Sequence, residues 1–391
     1  MFNYDWPIIN TIDDILPAIK DREEFIVAER EWGTVINYMI NFIDTFPRID
    51  TKDDKLNIHY ALRRECRGIK FDLDGKIIAR PFHKFFNLNE RPETMDTNID
   101  WSRNFNILQK LDGSMLHPIL VNDEIIWCTK MGITDVSNQA SEFVDNNSKY
   151  DYFTEKMIKD GFTPIFEWCS RKQRIVIDYP NDKLTLLALR NMITGEYINY
   201  HALKFIAKQY NMPIVEPFIG SFNNISDFVD DVTDRQEEEG YVLRFNTGHC
   251  VKIKNLWYLQ LHRVKEALRF EKDVIALILR NTYDDVKSFM DDKGIDRLDR
   301  FADDLIGNIN KTAERLMWVV IATRDNVGES QKKFAKQILD DHKSEAHLLF
   351  SIDKGLDPYE VVSNLILKET GSGPRVDKVR QYFGDIYWKD Y

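Results

Sequence analysis

The chain has 391 residues, of which 43% are hydrophobic, 12% aromatic and 30% charged, and its formal net charge is −11. This composition excludes a disordered or fibrous chain and supplies more than one hydrophobic core within a soluble exterior. The acidic balance argues against tight, non-specific nucleic-acid binding, so any polyanion must meet local basic sites.

Residues 25–262 alternate β-like stretches with short helical ones. Residues 104–109 read as a strand, and 114–121 and 124–129 as a strand pair around the turn Asn122-Asp123. Residues 152–159 have helical spacing that stops at Gly161, and 201–210 form a second helix. Residues 241–245 and 250–254 make another strand pair around Thr247-Gly248. The pattern predicts an α+β domain of mixed, largely antiparallel sheets with helices.

Beyond Val264 the texture becomes helical, with apolar residues at three- and four-residue spacing over 264–279, 298–323, 331–350 and 358–368. Leu316, Met317, Val320 and Ile321 are assigned to a helix core, and Gly371-Ser-Gly-Pro374 to a loop before the last segment. Two domains are therefore expected, 1–263 and an all-α domain over 264–391. The latter has 21 basic and 24 acidic residues, so no bulk basic patch marks it. Lys332, Lys333 and Lys336 form a small basic cluster that a solvated helix face also explains.

Cys66, Cys128, Cys169 and Cys250 lie far apart without C-x-x-C spacing. That argues against a zinc site or a disulfide framework and for a reducing, cytoplasmic setting. The start Met1-Phe-Asn-Tyr-Asp-Trp-Pro7 lacks a basic region followed by an apolar core, and no membrane partner is expected. His342 and His347, five apart, do not suit two ligands on one helical face.

The central feature is Lys110-Leu111-Asp112-Gly113-Ser114, where one strand turns into the next. A lysine in such a turn can project into a cleft, Gly113 lets the backbone approach a ligand, and Asp112 with Ser114 favours the turn. A surface hairpin produces the same K-x-D-G string without chemistry, so its companions decide. They are Glu239-Gly240-Tyr241-Val242 and Val251-Lys252-Ile253-Lys254. Alternation along a strand puts Lys252 and Lys254 on one face, with Glu239 brought beside them by the hairpin. Two ammonium groups facing the cleft would lower the pKa of Lys110 and free its amine to attack phosphorus. The same cations would neutralise a transferring phosphoryl group, and Glu239 could hold a divalent metal. A solvated hairpin with its charges outward remains the alternative.

This set of residues resembles the covalent nucleotidyltransferases and, within them, the single-strand RNA ligase 1 family of bacteriophages. The resemblance runs in order through Glu65-Cys-Arg-Gly-Ile69, Arg80-Pro-Phe-His-Lys-Phe-Phe-Asn-Leu-Asn-Glu90, Phe166-Glu-Trp168, Arg174-Ile-Val176, residues 187–190 and Thr194-Gly-Glu-Tyr-Ile198. It implies an ATP-dependent ligase that forms lysyl-AMP on Lys110, passes AMP to an RNA 5′-phosphate and seals it to a 3′-hydroxyl, with Mg2+ or Mn2+.

On the same resemblance, Arg67 lies near the nucleotide, Lys84 meets the departing pyrophosphate, and Phe86 walls that site, with Phe85 left to the core. Lys130 matches a family lysine, although here Met131 stands where relatives tend to have glycine. Glu167 matches the carboxylate that binds the AMP ribose, its alternative being a strand carboxylate paired with Arg174. Glu239 resembles the metal-linked glutamate, Lys252 and Lys254 the pair on the α-phosphate, and Gly113 and Gly240 positions of close backbone approach. Tyr258 either lines this site or packs in the core.

The implied partners are RNA ends, in a broken tRNA anticodon loop or single-stranded RNA, with an end-healing kinase/phosphatase as functional partner and the helical domain recognising RNA. A DNA ligase or capping guanylyltransferase would show a small β-barrel after Lys254, and the helical pattern there argues against both. A non-catalytic RNA-binding relative would have lost the nucleophile or the phosphate lysines.

Overall fold

Alternating apolar and polar side chains build three four-stranded sheets in the first of two compact units, Met1–Leu259. The computed structural model describes residues 6–391 apart from 43, 50, 51, 221, 223, 224, 288 and 289. The first sheet holds β1 (Phe25–Arg30), β2 (Gly33–Tyr38), β3 (Arg67–Phe71) and β4 (Ile77–Ala79) in that order. The second runs β10 (Lys183–Asn191), β9 (Phe162–Cys169), β7 (Ser114–Val121), β8 (Glu124–Cys128). The third runs β5 (Phe86–Asn87), β12 (Cys250–Lys254), β11 (Gly240–Phe245), β6 (Phe105–Gln109). All pairings are antiparallel except that of β5 with β12.

Helices α1 (Leu16–Ile19), α2 (Asp54–Glu65), α3 (Asp135–Asp145), α4 (Lys149–Lys159), α5 (Tyr200–Gln209) and α6 (Ile225–Asp234) fill out the unit. On β9, Phe166 and Trp168 point into a core with Phe153 of α4 and Leu203 of α5. The alternate residue Glu167 therefore faces the opposite way. The β7–β8 turn places Asn122 and Asp123 at φ 51° and 63°, left-handed values that a two-residue hairpin with matching twist requires.

The turn at Lys110 is different from the hairpin bend that its sequence suggests. β6 belongs to the third sheet and β7 to the second, so residues 110–113 carry the chain from one sheet to the other. Lys110 sits at the crossing point.

A fully buried ion cluster fastens the first and second sheets together. Glu65, at the end of α2, accepts from Arg80 Nε at 3.0 Å and from Arg190 Nη1 and Nη2, both at 2.8 Å. Burial alone raises the Glu65 carboxyl, but the two guanidiniums outweigh it and hold its pKa below the usual carboxylate value. One carboxylate cannot satisfy two guanidiniums, so carbonyls take the other donors: Ile193 and Pro7 for Arg80, Pro81 and Gly195 for Arg190. Gly195, at φ 76°, is compulsory here, since a Cβ would lie 2.5 Å from the Arg80 guanidinium. Trp6 and Tyr197 cover the Arg190 guanidinium at 4.6 and 4.7 Å.

The second unit, Gln260–Tyr391, is helical. The order from the end of β12 is α7 (Leu256–Ala267), α8 (Glu271–Leu279), α9 (Asp284–Lys287), α10 (Asp292–Val327), α11 (Gln331–Asp341), α12 (Ala346–Asp353), α13 (Pro358–Glu369) and α14 (Gly373–Val379). Leu298, Phe301, Leu305, Ile309, Leu316 and Val320 of α10 bury one stripe against α12 and α13. Asp291 caps its start, and Gly328 at φ 63° ends it.

Several boundaries depart from the sequence expectation. The expected helix over 264–279 starts earlier and breaks between Ala267 and Glu271, and that over 331–350 breaks at His342. The Gly371–Pro374 segment contains a helix start, with Ser372 before Gly373 and Pro374 in the first turn, where a missing N–H costs nothing. Met317 and Ile321 are 42% and 37% exposed, outside the core to which they were assigned, because α10 buries the Leu316–Val320 side instead. Among the described residues no helix is long and apolar enough to cross a membrane.

Glu65→Gln leaves two buried guanidiniums facing a neutral amide, and the first unit is expected to lose about 3–5 kcal/mol. Urea unfolding followed by tryptophan fluorescence measures this. The contribution is present at neutral pH and disappears on acidification through the depressed Glu65 pKa, so the mutant's acid transition should be shallower than the wild type's. A loss below about 1 kcal/mol would show that the cluster does not hold the sheets.

Candidate active site

A cleft of about 520 Å³ lies between the second and third sheets and contains Lys110. Lys110 Nζ is 2.6 Å from Glu239 Oε2, and Lys254 Nζ is 3.1 Å from Glu239 Oε1. The register explains this meeting. Gly240 pairs with Lys254 across β11 and β12, and the Lys110 N–H donates to the Gly240 carbonyl at 2.8 Å. Glu239 is thus a carboxylate shared by two lysines.

Asp112 fixes the turn, through contacts well beyond the turn itself. Its buried carboxylate accepts from the backbone N–H groups of Val176 and Ile177 at 2.7 Å each and from the Tyr258 hydroxyl at 2.7 Å. The Asp112 N–H in turn donates to the Tyr179 hydroxyl at 3.0 Å. Tyr258 is therefore a buried support of the lysine turn. Gly113 and Gly240 do permit close approach, but to protein backbone. A Cβ on Gly113 would meet the Trp168 carbonyl at 2.3 Å, and one on Gly240 the Ile253 carbonyl at 2.1 Å.

The other cations form a separate group. Arg67, Lys130 and Lys252 line the cleft, and none of them has a carboxylate within 4 Å among the described residues. Burial, then Arg67, Lys84 and Lys110, push the Lys252 pKa down to about 7. Burial likewise lowers Lys130, with Arg67 and Lys84 adding to the effect against Tyr38. Lys252 is thus depressed first by burial and then by its cationic neighbours, while Lys110 has Glu239 as counter-charge.

Lys84 lies at the edge of this group, its Nζ over the rings of Tyr38, Phe86 and Phe46 at 4.9, 5.2 and 5.6 Å. Phe86 is not a wall of the cleft. It pairs with Val251 and is 1% exposed, in the core, and strand alternation turns its neighbour Phe85 into the cleft instead. There Phe85 carries Lys252 at 5.1 Å and Arg67 at 5.8 Å over its ring.

Glu167 faces Lys110 across the cleft and is 9% exposed. Burial raises its pKa to about 8, against the pull of Lys110 and Arg67 and with Glu239 and Asp112 adding to the rise. It is not paired with Arg174, whose guanidinium lies beside Asp178 at 3.7 Å.

Two further groups carry no local signal in the sequence. Tyr38, at the end of β2, would be raised by burial, yet Lys84, Arg67 and Lys130 together hold its pKa below the phenol value. Lys70 is fully buried and joins the strands bearing Arg67 and Lys130, donating to the Gly68 carbonyl at 3.0 Å and the Thr129 carbonyl at 2.9 Å. His117 Nε2 lies 2.5 Å from the same ammonium. The Met131 departure is absorbed by a tight Thr129–Gly132 turn with Gly132 at φ 105°. Only pairing across the sheets brings either group to the site.

A lysine at a sheet crossing, ringed by cations and two buried carboxylates, makes a cleft whose charge suits a phosphate-bearing ligand. The family model described as RNA ligase matches residues 65–265, a little over half of the chain. The chain belongs to the RNA ligase family, in company with the RNA ligase 1 proteins of bacteriophages.

Among similar proteins, one from Thermovibrio ammonificans, provisionally named as an RNA ligase, is 28% identical over 341 residues, covering 83% of this chain and 85% of its own. RNA ligase 1 of bacteriophage TS2126 is 26% identical over 215 residues, 51% of this chain and 52% of that protein. An archaeal ATP-dependent RNA ligase of known structure aligns with a TM-score of 0.45 and 14% identity over 66% of this chain and 65% of its own. Backbone likeness at that level is slight, and the assignment rests on the sequence match.

Lys252 yields a pH prediction. A polyphosphate favours the charged lysine, so above about pH 7 its binding must take up a proton and its affinity falls with rising pH. ATP titrations of wild type and Lys252→Met between about pH 6 and about pH 9 should differ in slope, the mutant's being flatter by up to about tenfold per unit. Parallel profiles would remove Lys252 from the phosphate site.

Proposed function

We propose that this chain seals RNA ends at the expense of ATP, through an AMP carried on Lys110. The observation that supports this most is the pairing of Lys110 with Glu239 beside a group of cations with no carboxylate within 4 Å among the described residues. An amine nucleophile and a polyphosphate site then share one cleft.

In the first step Lys110 passes a proton to Glu239, 2.6 Å away, and attacks the α-phosphorus of ATP as a neutral amine; the N–P bond forms, the P–O bond to pyrophosphate breaks, and the second amine proton leaves to solvent. Lys252 and Lys254 face the α-phosphate, while Arg67, Lys84 and Lys130 offer positive charge to the leaving pyrophosphate. Glu167 is placed for the ribose: a carboxyl raised to about 8 is protonated at neutral pH and can both donate to and accept from vicinal hydroxyls. In the second step an RNA 5′-phosphate displaces Lys110 from the AMP phosphorus. In the third a 3′-hydroxyl attacks that 5′-phosphorus and AMP leaves.

Glu239 is the carboxylate that would hold Mg2+ or Mn2+. Among the described residues no three His, Cys, Asp or Glu side chains gather for a metal. One carboxylate together with nucleotide phosphates is the usual Mg2+ arrangement, so the donor set fits once ATP is present. The ion, when bound, neutralises charge on the phosphates. We assign the helical unit to RNA recognition, with a broken tRNA anticodon loop or single-stranded RNA as the substrate and an end-healing kinase/phosphatase as functional partner.

Incubation with ATP and Mg2+ without RNA should add one AMP, and peptide mapping should place it on Lys110. Absence of the adduct, or its appearance on another lysine, would overturn the proposal. Lys110→Ala should lose both the adduct and the joining of 5′-phosphate to 3′-hydroxyl ends. Parallel assays on single-stranded RNA, nicked tRNA and nicked duplex DNA identify the substrate, and preference for the DNA would reassign the enzyme.

A further inference from the structure

The end of the cleft away from the lysines holds a buried cation that the three-step chemistry leaves unused. Arg244 of β11 is 5% exposed. Its Nη1 donates to the Leu187 carbonyl at 3.2 Å, while its Nη2 is buried with no hydrogen-bond partner among the described residues. No carboxylate lies within 4 Å of it among the described residues. Leaving a charged donor buried and unmatched is costly, so such a group marks a place where something else is meant to accept.

Strand register locates it. Gly240, Val242 and Arg244 share one face of β11, opposite Lys254, Lys252 and Cys250 of β12. Arg244 is therefore four residues along the strand from the row that meets Lys110, about 13 Å at the usual rise. That distance is comparable to the reach of a nucleoside from its phosphate. Between the two ends the walls are apolar: Leu108 and Val242 from the third sheet, Leu187 from the second, and Val215. A slot walled by aliphatic side chains from two facing sheets suits a planar ring. Arg244 also borders a polar cavity of about 580 Å³ on its other side, but that cavity shares none of the phosphate-facing lysines.

We propose that Arg244 determines which base the enzyme accepts, its Nη2 donating to a ring nitrogen of adenine held between Val242 and Leu187. This rests on the nucleotidyl-transfer reading above. Because Nη1 is turned to the Leu187 carbonyl, the Nη1–Nη2 pair is not free to act as a fork, and Nη2 is the terminal nitrogen left to donate. Guanine presents two adjacent acceptors, O6 and N7, which match a bidentate arginine. One terminal nitrogen donating alone matches a single ring nitrogen better than the O6/N7 pair, and so favours adenine.

The test is equilibrium binding of ATP, 1-deaza-ATP, 3-deaza-ATP and 7-deaza-ATP to the full chain, alongside adduct formation. One of the three analogues should bind wild type about tenfold or more weakly than ATP, the loss of a charged hydrogen bond. Arg244→Met should bind ATP at that weakened level and no longer distinguish the analogue, and the loss should appear in KM for adduct formation. Arg244→Lys, which keeps a charged donor, should recover part of the discrimination. Equal binding of all four nucleotides to wild type, or full discrimination retained by Arg244→Met, would overturn the inference. If wild type forms the Lys110 adduct yet ignores the deaza changes, only the base assignment falls. If wild type neither binds ATP nor forms the adduct, the nucleotidyl-transfer reading falls and takes the base assignment with it. The wild-type series decides the matter even if a variant does not fold.

Discussion

One buried carboxylate, Glu65, ties together parts of the chain that are far apart in sequence. It receives Arg80 and Arg190, and through them the loops around Pro7, Pro81, Ile193 and Gly195. Taking three charges out of water is expensive, and replacement by apolar packing is often no less stable. What the cluster supplies is a defined geometry: two planar guanidiniums accept few arrangements around one carboxylate. Two residues beyond Glu65, Arg67 enters the cleft, so the anchor and one of the cleft cations lie on one short segment.

The cleft itself depends on a change of sheet. Because the chain leaves β6 in one sheet and enters β7 in another, residues 110–113 span the gap where two surfaces part. Asp112 locks that span to the loop before Tyr179 and to Tyr258, and Gly113 lets it lie against β9 with no space left for a side chain. Lys110 can then reach a carboxylate from the third sheet and face another from the second. Neither sheet alone could assemble the pair Glu239 and Glu167 around one lysine.

The sequence disclosed those features that obey a local rule. Period-two alternation located β7, β8, β11 and β12, and it put Lys252 and Lys254 on one face. The resemblance marked Arg67, Lys130, Glu167 and Glu239, all of which the fold brings to the cleft or its rim. What stayed illegible was decided by partners distant in sequence. Phe85 and Phe86 exchange roles because β5 is a two-residue strand whose facing is set by pairing with Val251. Tyr38, Lys70 and Arg244 look like ordinary strand residues until the sheets are assembled. Helix ends in the second unit shifted for a similar reason, since spacing continues smoothly across Leu268 and His342 where the backbone breaks.

The shared carboxylate also bears on selectivity among small reactive molecules. Lysines of ordinary proteins are modified by acylating and carbonyl compounds in proportion to the freedom of their amines. Lys110 is held at 2.6 Å by a carboxylate that is itself 3% exposed and clasped from the other side by Lys254. A compound lacking the charge to compete for Glu239 or to engage the neighbouring cations meets an amine that is already engaged. Any reagent for the Lys110 amine must therefore first compete with Glu239 for it.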